Sequence, residues 1–123
     1  MMTVGLDLCE IERIRRSMQN PHFCSRVLGK QEFAQLQKRG FPAQSVAASF
    51  CAKEAFGKAM GTGLRGFSLC EVELLRAKTG APRLCLSGKA AELAAGWQFQ
   101  VSVTHTAAAA AAVVLGERKE SRE

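Results

Sequence analysis

An α+β domain is what this sequence predicts, and three observations carry the prediction. Residues 3–8 alternate in the manner of a strand, residues 10–60 keep a helical period punctuated by proline and glycine, and residues 67–105 return to alternation in three separate runs. One strand, a helical half and a mostly antiparallel half fit a single domain in a chain of 123 residues, long enough for one real core. We place that domain at residues 1–116 and expect the charge-alternating stretch 117–123 to fray.

In Thr3–Leu8, Val4, Leu6 and Leu8 line one face of the first strand and Thr3, Gly5 and Asp7 the other, with Gly5 leaving open space beside Asp7. From Glu10 to Met18 the spacing of Ile11, Ile14 and Met18 is helical, and Gln19-Asn20-Pro21 ends it. Phe23, Val27 and Leu28 form a short apolar anchor, and Gln31–Lys38 a further helix with Phe33 and Leu36 inward, closed by Gly40. Pro42 opens a long helix that stops at Gly61. Phe67–Leu75 alternates as a strand, Thr79-Gly80-Ala81-Pro82 is a turn, and Arg83–Leu86 returns as the other arm of a hairpin. Ser87 is placed to cap a short helix over Gly88–Ala95, and Gln98–His105 alternates strictly, with Phe99, Val101 and Val103 on one side. Propensity makes Ala107–Ala112 helical, whereas Val113-Val114-Leu115 and the polar tail favour a final hairpin strand.

Composition narrows the function. Hydrophobic residues at 47% and charged ones at 23% are ordinary for a globular protein, and no apolar run is long enough to span a bilayer. The N-terminus carries its charges after the apolar run, which is not a signal-peptide pattern. Five scattered cysteines without CxxC or Cys/His spacing argue for free thiols in a reducing cytoplasm rather than a disulfide framework or zinc site. The net charge of +6 suits an acidic partner or polyanionic substrate, and seven of the cations (Arg13, Arg15, Arg16, Arg26, Lys30, Lys38, Arg39) fall in one stretch with a single acid, Glu32. A basic nucleic-acid-binding module fits that sign too, but the chain has no tyrosine and one tryptophan, Trp97, to stack on bases.

Asp7, Glu54, Lys58 and His105 are polar groups set among small or apolar neighbours. Each has an ordinary reading: Asp7 caps the next helix, Glu54 pairs with Lys58 at i and i+4, His105 is a turn residue, and the arginines are a solvated face. Each has a chemical one as well. Two carboxylates from separate elements suit Mg²⁺, which takes its remaining oxygens from substrate and water. A lysine one turn further on, before Gly61-Thr62-Gly63, suits a phosphate, although the glycines match neither a P-loop nor a dinucleotide fingerprint. A Mg²⁺-dependent nucleotide pyrophosphohydrolase is consistent with the same groups.

Four segments in order carry a resemblance: Val4-Gly5-Leu6-Asp7-Leu8-Cys9-Glu10-Ile11-Glu12-Arg13-Ile14, then Phe50-Cys51-Ala52-Lys53-Glu54-Ala55-Phe56-Gly57-Lys58-Ala59-Met60-Gly61-Thr62-Gly63, then Gly80-Ala81-Pro82, then Val101-Ser102-Val103-Thr104-His105-Thr106. With them the chain resembles the holo-[acyl-carrier-protein] synthases, the small trimeric 4'-phosphopantetheinyl transferases. The resemblance implies their fold and their reaction, the transfer of 4'-phosphopantetheine from coenzyme A to a serine of apo acyl carrier protein in fatty acid biosynthesis, releasing adenosine 3',5'-bisphosphate. It implies Mg²⁺ on Asp7 and Glu54, Lys58 at the coenzyme A phosphates, and Gly61, Thr62, Gly63, Gly80, Pro82 and His105 along the nucleotide. It further implies a cytoplasmic homotrimer with sites between subunits, acting on neither nucleic acid nor membrane, and docking of the acidic carrier protein on Arg13. The chain departs from the usual pattern in Gly80-Ala81-Pro82, which stands where Gly-Lys-Pro is usual so that one cation is missing, and in Glu71, where aspartate is frequent. The segment at Asn20-Pro21-His22 is short and less basic, leaving Arg15, Arg16 and Arg26 to supply the second docking cation.

Overall fold

Strand β1 (Met2–Glu10) opens the computed structural model, which describes residues 1–119. Helices α1 (Ile11–Ser17), α2 (Phe23–Val27) and α3 (Lys30–Lys38) follow, then the long helix α4 (Ala43–Met60). The second half comprises a 3₁₀ turn (Leu69–Glu71), strands β2 (Val72–Arg76) and β3 (Pro82–Leu86), helix α5 (Gly88–Leu93), and strands β4 (Trp97–His105) and β5 (Ala109–Arg118). The fold is α+β: β1, β5 and β4 form an antiparallel sheet in that order, and β2 and β3 form a separate hairpin.

Helix α4 is the centre of the core. Pro42 precedes it where no N–H is needed, and its carbonyl accepts the Ser45 and Val46 amides. Gly61 ends it at φ +74°, a left-handed cap that a side chain would disfavour. Val46, Ala47, Cys51, Ala52, Ala55 and Phe56 have no exposed surface, so the helix is buried on nearly every side. Phe56 meets Phe67 and Phe99 edge to face, each at 5.3 Å between ring centres. The alanine run resolves as strand because its inward members, Ala110 and Ala112, let the α4 backbone lie close over β5, with Val114 continuing the row. Thr106 Oγ1 accepts the Ala108 and Ala109 amides and makes the β4–β5 turn.

Four expectations are corrected. The space beside Gly5 is not open: a Cβ there would lie 1.9 Å from the Ala55 carbonyl oxygen, because β1 is pressed against α4. The strand expected over Phe67–Leu75 starts at Val72, since the Glu71 carboxylate accepts the Ser68 and Lys89 amides and turns the preceding residues into 3₁₀ geometry. The short helix after Ser87 stops at Leu93. Glu117 and Arg118, expected to fray, pair with Met2 and Trp97 as the end of β5, while residues 120–123 lie outside the described residues. A further finding concerns β1, whose apolar row faces outward: Val4, Leu6 and Leu8 are 61%, 64% and 70% exposed. Its inward row is Thr3, Gly5, Asp7 and Cys9, because only small residues fit under α4.

Candidate functional site

Two ties fix the position of α4, one to β1 and a buried one to α3. Thr3 Oγ1 donates to the Ala59 carbonyl at 2.5 Å, and Lys53 Nζ donates to Glu32 Oε1 at 2.7 Å with neither Lys53 nor Glu32 exposed. Glu32 also accepts the Gly29 and Leu74 amides, so its charge is spread over three donors. Burial pulls the Lys53 ammonium below its ordinary pKa and the Glu32 carboxylate opposes that shift. The neighbouring Glu54 therefore sits on a helix that cannot easily rotate.

Glu54 shares a cleft with Asp7, the buried carboxylate of β1. Burial first, and the Asp7 charge second, push the Glu54 carboxyl above the usual carboxylate range. Lys58 Nζ donates to Asp7 Oδ1 and to the Leu6 carbonyl, each at 3.1 Å. The helix-surface pair between Glu54 and Lys58 does not form, because the Lys58 ammonium reaches across to β1 instead. Asp7 and Glu54 open on a cleft of about 130 Å³, lined also by Cys9, Arg13, Ser17, Phe23 and Phe50. Among the described residues no group of three or more histidine, cysteine or acidic side chains is set to enclose a metal. A cation held by this pair of carboxylates would thus keep positions for outside oxygens, as Mg²⁺ does.

Gly61 and Gly63 follow α4 at φ +74° and +61°, with nothing within 4 Å of where a Cβ would stand. The loop folds back so that the Thr62 and Gly63 amides both bond the Gly57 carbonyl, and Gly57 has no room for a side chain against Gly63. Thr62 Oγ1 turns to the Gly63 carbonyl. Arg13, Arg15, Arg16 and Arg26 are all exposed, and Arg15 is engaged by Glu12 on the same helix.

Gly80 and His105 do not join the carboxylates. They line a larger pocket of about 590 Å³ with Arg39, Gln44, Ser45, Arg76 and Thr104, and Pro82 pairs with Arg76 in the hairpin beside it. Asp7 is on the β1 edge of the sheet and His105 on the β4 edge, with β5 between them. Two strand spacings are roughly 10 Å, and Ser45 and Glu54 are nine residues or roughly 13 Å apart along α4. The expected residues thus fall into two clusters on opposite edges of one chain.

Arg39 and Arg76 in the second pocket have no acidic partner among the described residues, and burial followed by the Arg39 charge lowers the Arg76 pKa. Arg76 was not singled out from the sequence, nor was the Lys53–Glu32 pair. Each depends on partners twenty or more residues away, and local spacing carries no signal of them. The Arg76 guanidinium, bonded to the Gly80 carbonyl at 3.1 Å, supplies positive charge next to Ala81.

A profile of the 4'-phosphopantetheinyl transferase superfamily matches residues 3–114. A holo-[acyl-carrier-protein] synthase of Caldanaerobacter subterraneus is 36% identical over 116 residues, 91% of each chain. Among solved structures, an acyl carrier protein synthase–coenzyme A complex from Chronobacterium ammoniagenes superposes with a TM-score of 0.83 at 26% identity, covering 98% of this chain and 99% of that one. The holo-(acyl-carrier-protein) synthase of Bacillus anthracis in complex with CoA (3',5'-ADP) gives a TM-score of 0.81 at 28% identity, covering 97% and 100%.

Proposed function

The chain belongs to the 4'-phosphopantetheinyl transferase superfamily and is an enzyme of the holo-[acyl-carrier-protein] synthase kind, and on that premise we propose that it moves 4'-phosphopantetheine from coenzyme A to a serine of the apo acyl carrier protein of fatty acid biosynthesis, in a Mg²⁺-dependent reaction that releases adenosine 3',5'-bisphosphate. The observation that carries the reading is the pairing of Asp7 and Glu54 under Lys58. The donor set fits the metal. Two adjacent carboxylates, one of them already reluctant to ionise beside the other, gain from a hard divalent cation. Asp7 and Glu54 would hold it. When bound, Mg²⁺ supplies positive charge against the diphosphate and the developing charge on the leaving oxygen.

The protein's own groups do the rest. Lys58 stands at the mouth of the pair with 53% of its side chain exposed, free to swing from Asp7 to a phosphate oxygen. Gly61 and Gly63 leave open backbone beside it, along which a nucleotide can lie close. The half-buried Asp7–Glu54 cleft orients the diphosphate and limits water, so that positioning and charge account for most of the rate. Exposed Arg13, on the rim of the same cleft, would receive the acidic carrier protein, with Arg15, Arg16 and Arg26 extending the positive surface.

The reading includes a homotrimer. Its support is the division of the site: a nucleotide reaching from Asp7 and Glu54 to Gly80, Pro82 and His105 is served if one copy's β4 edge adjoins the β1 edge of the next. Such a head-to-tail contact makes a ring where its rotation closes after three copies. Outward-facing Val4, Leu6 and Leu8, next to Leu115 on β5, offer the apolar surface for it. Arg39 and Arg76 would then lie at the nucleotide's phosphate-bearing end. A cytoplasmic location agrees with five free thiols, and among the described residues no helix is long and apolar enough to cross a membrane.

The test is the protein with coenzyme A and apo carrier protein, with and without Mg²⁺, followed by intact-mass analysis of the carrier and identification of the nucleotide product. A Mg²⁺-dependent mass gain on the carrier serine with release of adenosine 3',5'-bisphosphate is the expected result. Cleavage of coenzyme A without modification of the carrier would show a pyrophosphohydrolase instead.

A further inference from the structure

Two thiols that the proposed transfer does not use stand beside its carboxylates. Cys9 ends the inward row of β1 two residues after Asp7, and Cys51 lies on α4 one turn before Glu54. Their sulfurs are 2.9 Å apart. Cys51 is fully buried and also faces the Ala110 carbonyl at 3.4 Å, whereas Cys9 is half-buried and lines the cleft shared by Asp7 and Glu54. A disulfide needs about 2.05 Å between sulfurs, so the pair is less than an ångström from bonding distance. The sequence, with the two positions 42 apart and no CxxC motif, gives no hint of this.

We propose that Cys9 and Cys51 form a modification site for small hydroperoxides, which convert the dithiol to a reversible disulfide that joins β1 to α4 and slows transfer. Cys9, the thiol that faces the cleft, is the one that solute peroxide reaches. Its sulfur, as thiolate, displaces hydroxide from the peroxide as the O–O bond breaks; the sulfur is oxidised by two electrons to a sulfenic acid and the hydroxide takes up the thiol proton as water. The Cys51 sulfur then attacks the Cys9 sulfur, the S–S bond forms, and the sulfenic oxygen leaves as a second water with the Cys51 proton. Two thiols and one hydrogen peroxide thus give one disulfide and two waters. A reduced dithiol reverses the change by exchange.

The bond forms between the residues that flank the carboxylate pair, so closing it draws the two elements together at the site. A displacement of about 1 Å at a reacting centre lowers rates by roughly a hundredfold. The link to turnover rests on the proposed transfer, while the chemistry of the pair does not.

Hydrogen peroxide is added to the purified protein, and the products are followed by intact mass, by peptide mapping without reduction, and by transfer assays before oxidation, after it, and after dithiothreitol. A loss of two hydrogens, about 2 Da, a cross-linked peptide joining Cys9 to Cys51, and at least a tenfold fall in transfer restored by dithiothreitol are expected. Cys9→Ser abolishes the mass loss, and a Cys24→Ser/Cys70→Ser/Cys85→Ser variant retains it, which keeps the test valid should a Cys51 substitution fail to fold. Gains of about 16 or 32 Da without cross-linking, or a cross-link through another cysteine, overturn the site. Undiminished transfer by fully cross-linked protein overturns its coupling to turnover. A reduced protein that transfers nothing, yet forms the 9–51 cross-link, counts against the transfer reading and leaves the dithiol standing.

Discussion

Gly5→Ala tests the contact on which the carboxylate pair depends. The added methyl would lie 1.9 Å from the Ala55 carbonyl oxygen and 2.7 Å from the Ala59 amide nitrogen, both backbone atoms of α4. Ordinary contact begins at 3.4 Å, so strand and helix must separate by about 1.5 Å. That opening carries the Thr3–Ala59 hydrogen bond from 2.5 Å, and the Lys58 bonds to Leu6 and Asp7 from 3.1 Å, beyond hydrogen-bonding range. Overpacking of a core costs about 1–3 kcal/mol and each of the three lost hydrogen bonds about 1 kcal/mol, which places the total at roughly 4–6 kcal/mol. A shift of more than an ångström between Asp7 and Glu54 lowers the rate by roughly a hundredfold or more. Urea unfolding measures the first quantity, and transfer to apo carrier protein at a temperature where the variant remains folded measures the second. Stability within about 0.5 kcal/mol of the parent together with parental turnover would refute the claim that β1 and α4 are locked at Gly5.

Three further outcomes are expected. Lys53→Met leaves the Glu32 charge buried with only amide donors, which costs about 3–5 kcal/mol in urea unfolding, and adding Glu32→Gln recovers part of the loss. Glu54 binds its proton more tightly in the folded chain than in the unfolded one. Its contribution to stability in metal-free buffer is therefore full below the ordinary carboxylate pKa and is lost as pH rises through the elevated folded value; Glu54→Gln removes that slope, as thermal unfolding across pH will show. Arg13→Glu raises the Michaelis constant for the carrier protein more than that for coenzyme A, and the difference shrinks as salt screens exposed charges beyond about 8 Å at 0.15 M.

What could be read from the sequence was local. Pro42 and Gly61 bound α4 because proline and glycine act through their own backbone geometry, and strict alternation marked β4. Asp7 and Glu54 could be proposed as partners because each interrupts an otherwise small or apolar face, and both line one cleft. What could not be read depended on partners distant in the chain. The alternation of β1 separates Val4, Leu6 and Leu8 from Gly5 and Asp7, but which face is inward is decided by Gly5 meeting the Ala55 carbonyl. Lys58 is four residues from Glu54 but bonds Asp7, and Lys53 beside Glu54 is held by Glu32 from α3. The split of the predicted residues between the β1 and β4 edges follows from β5 entering between them, an order that strand patterns alone do not specify.

Calorimetric titration of coenzyme A, with and without Mg²⁺, into the parent protein and into Glu54→Gln asks most directly whether these two carboxylates hold the metal that grips the diphosphate. Mg²⁺ should tighten binding to the parent by at least tenfold and change binding to Glu54→Gln little. Equal tightening in both proteins would place the metal elsewhere and contradict the account.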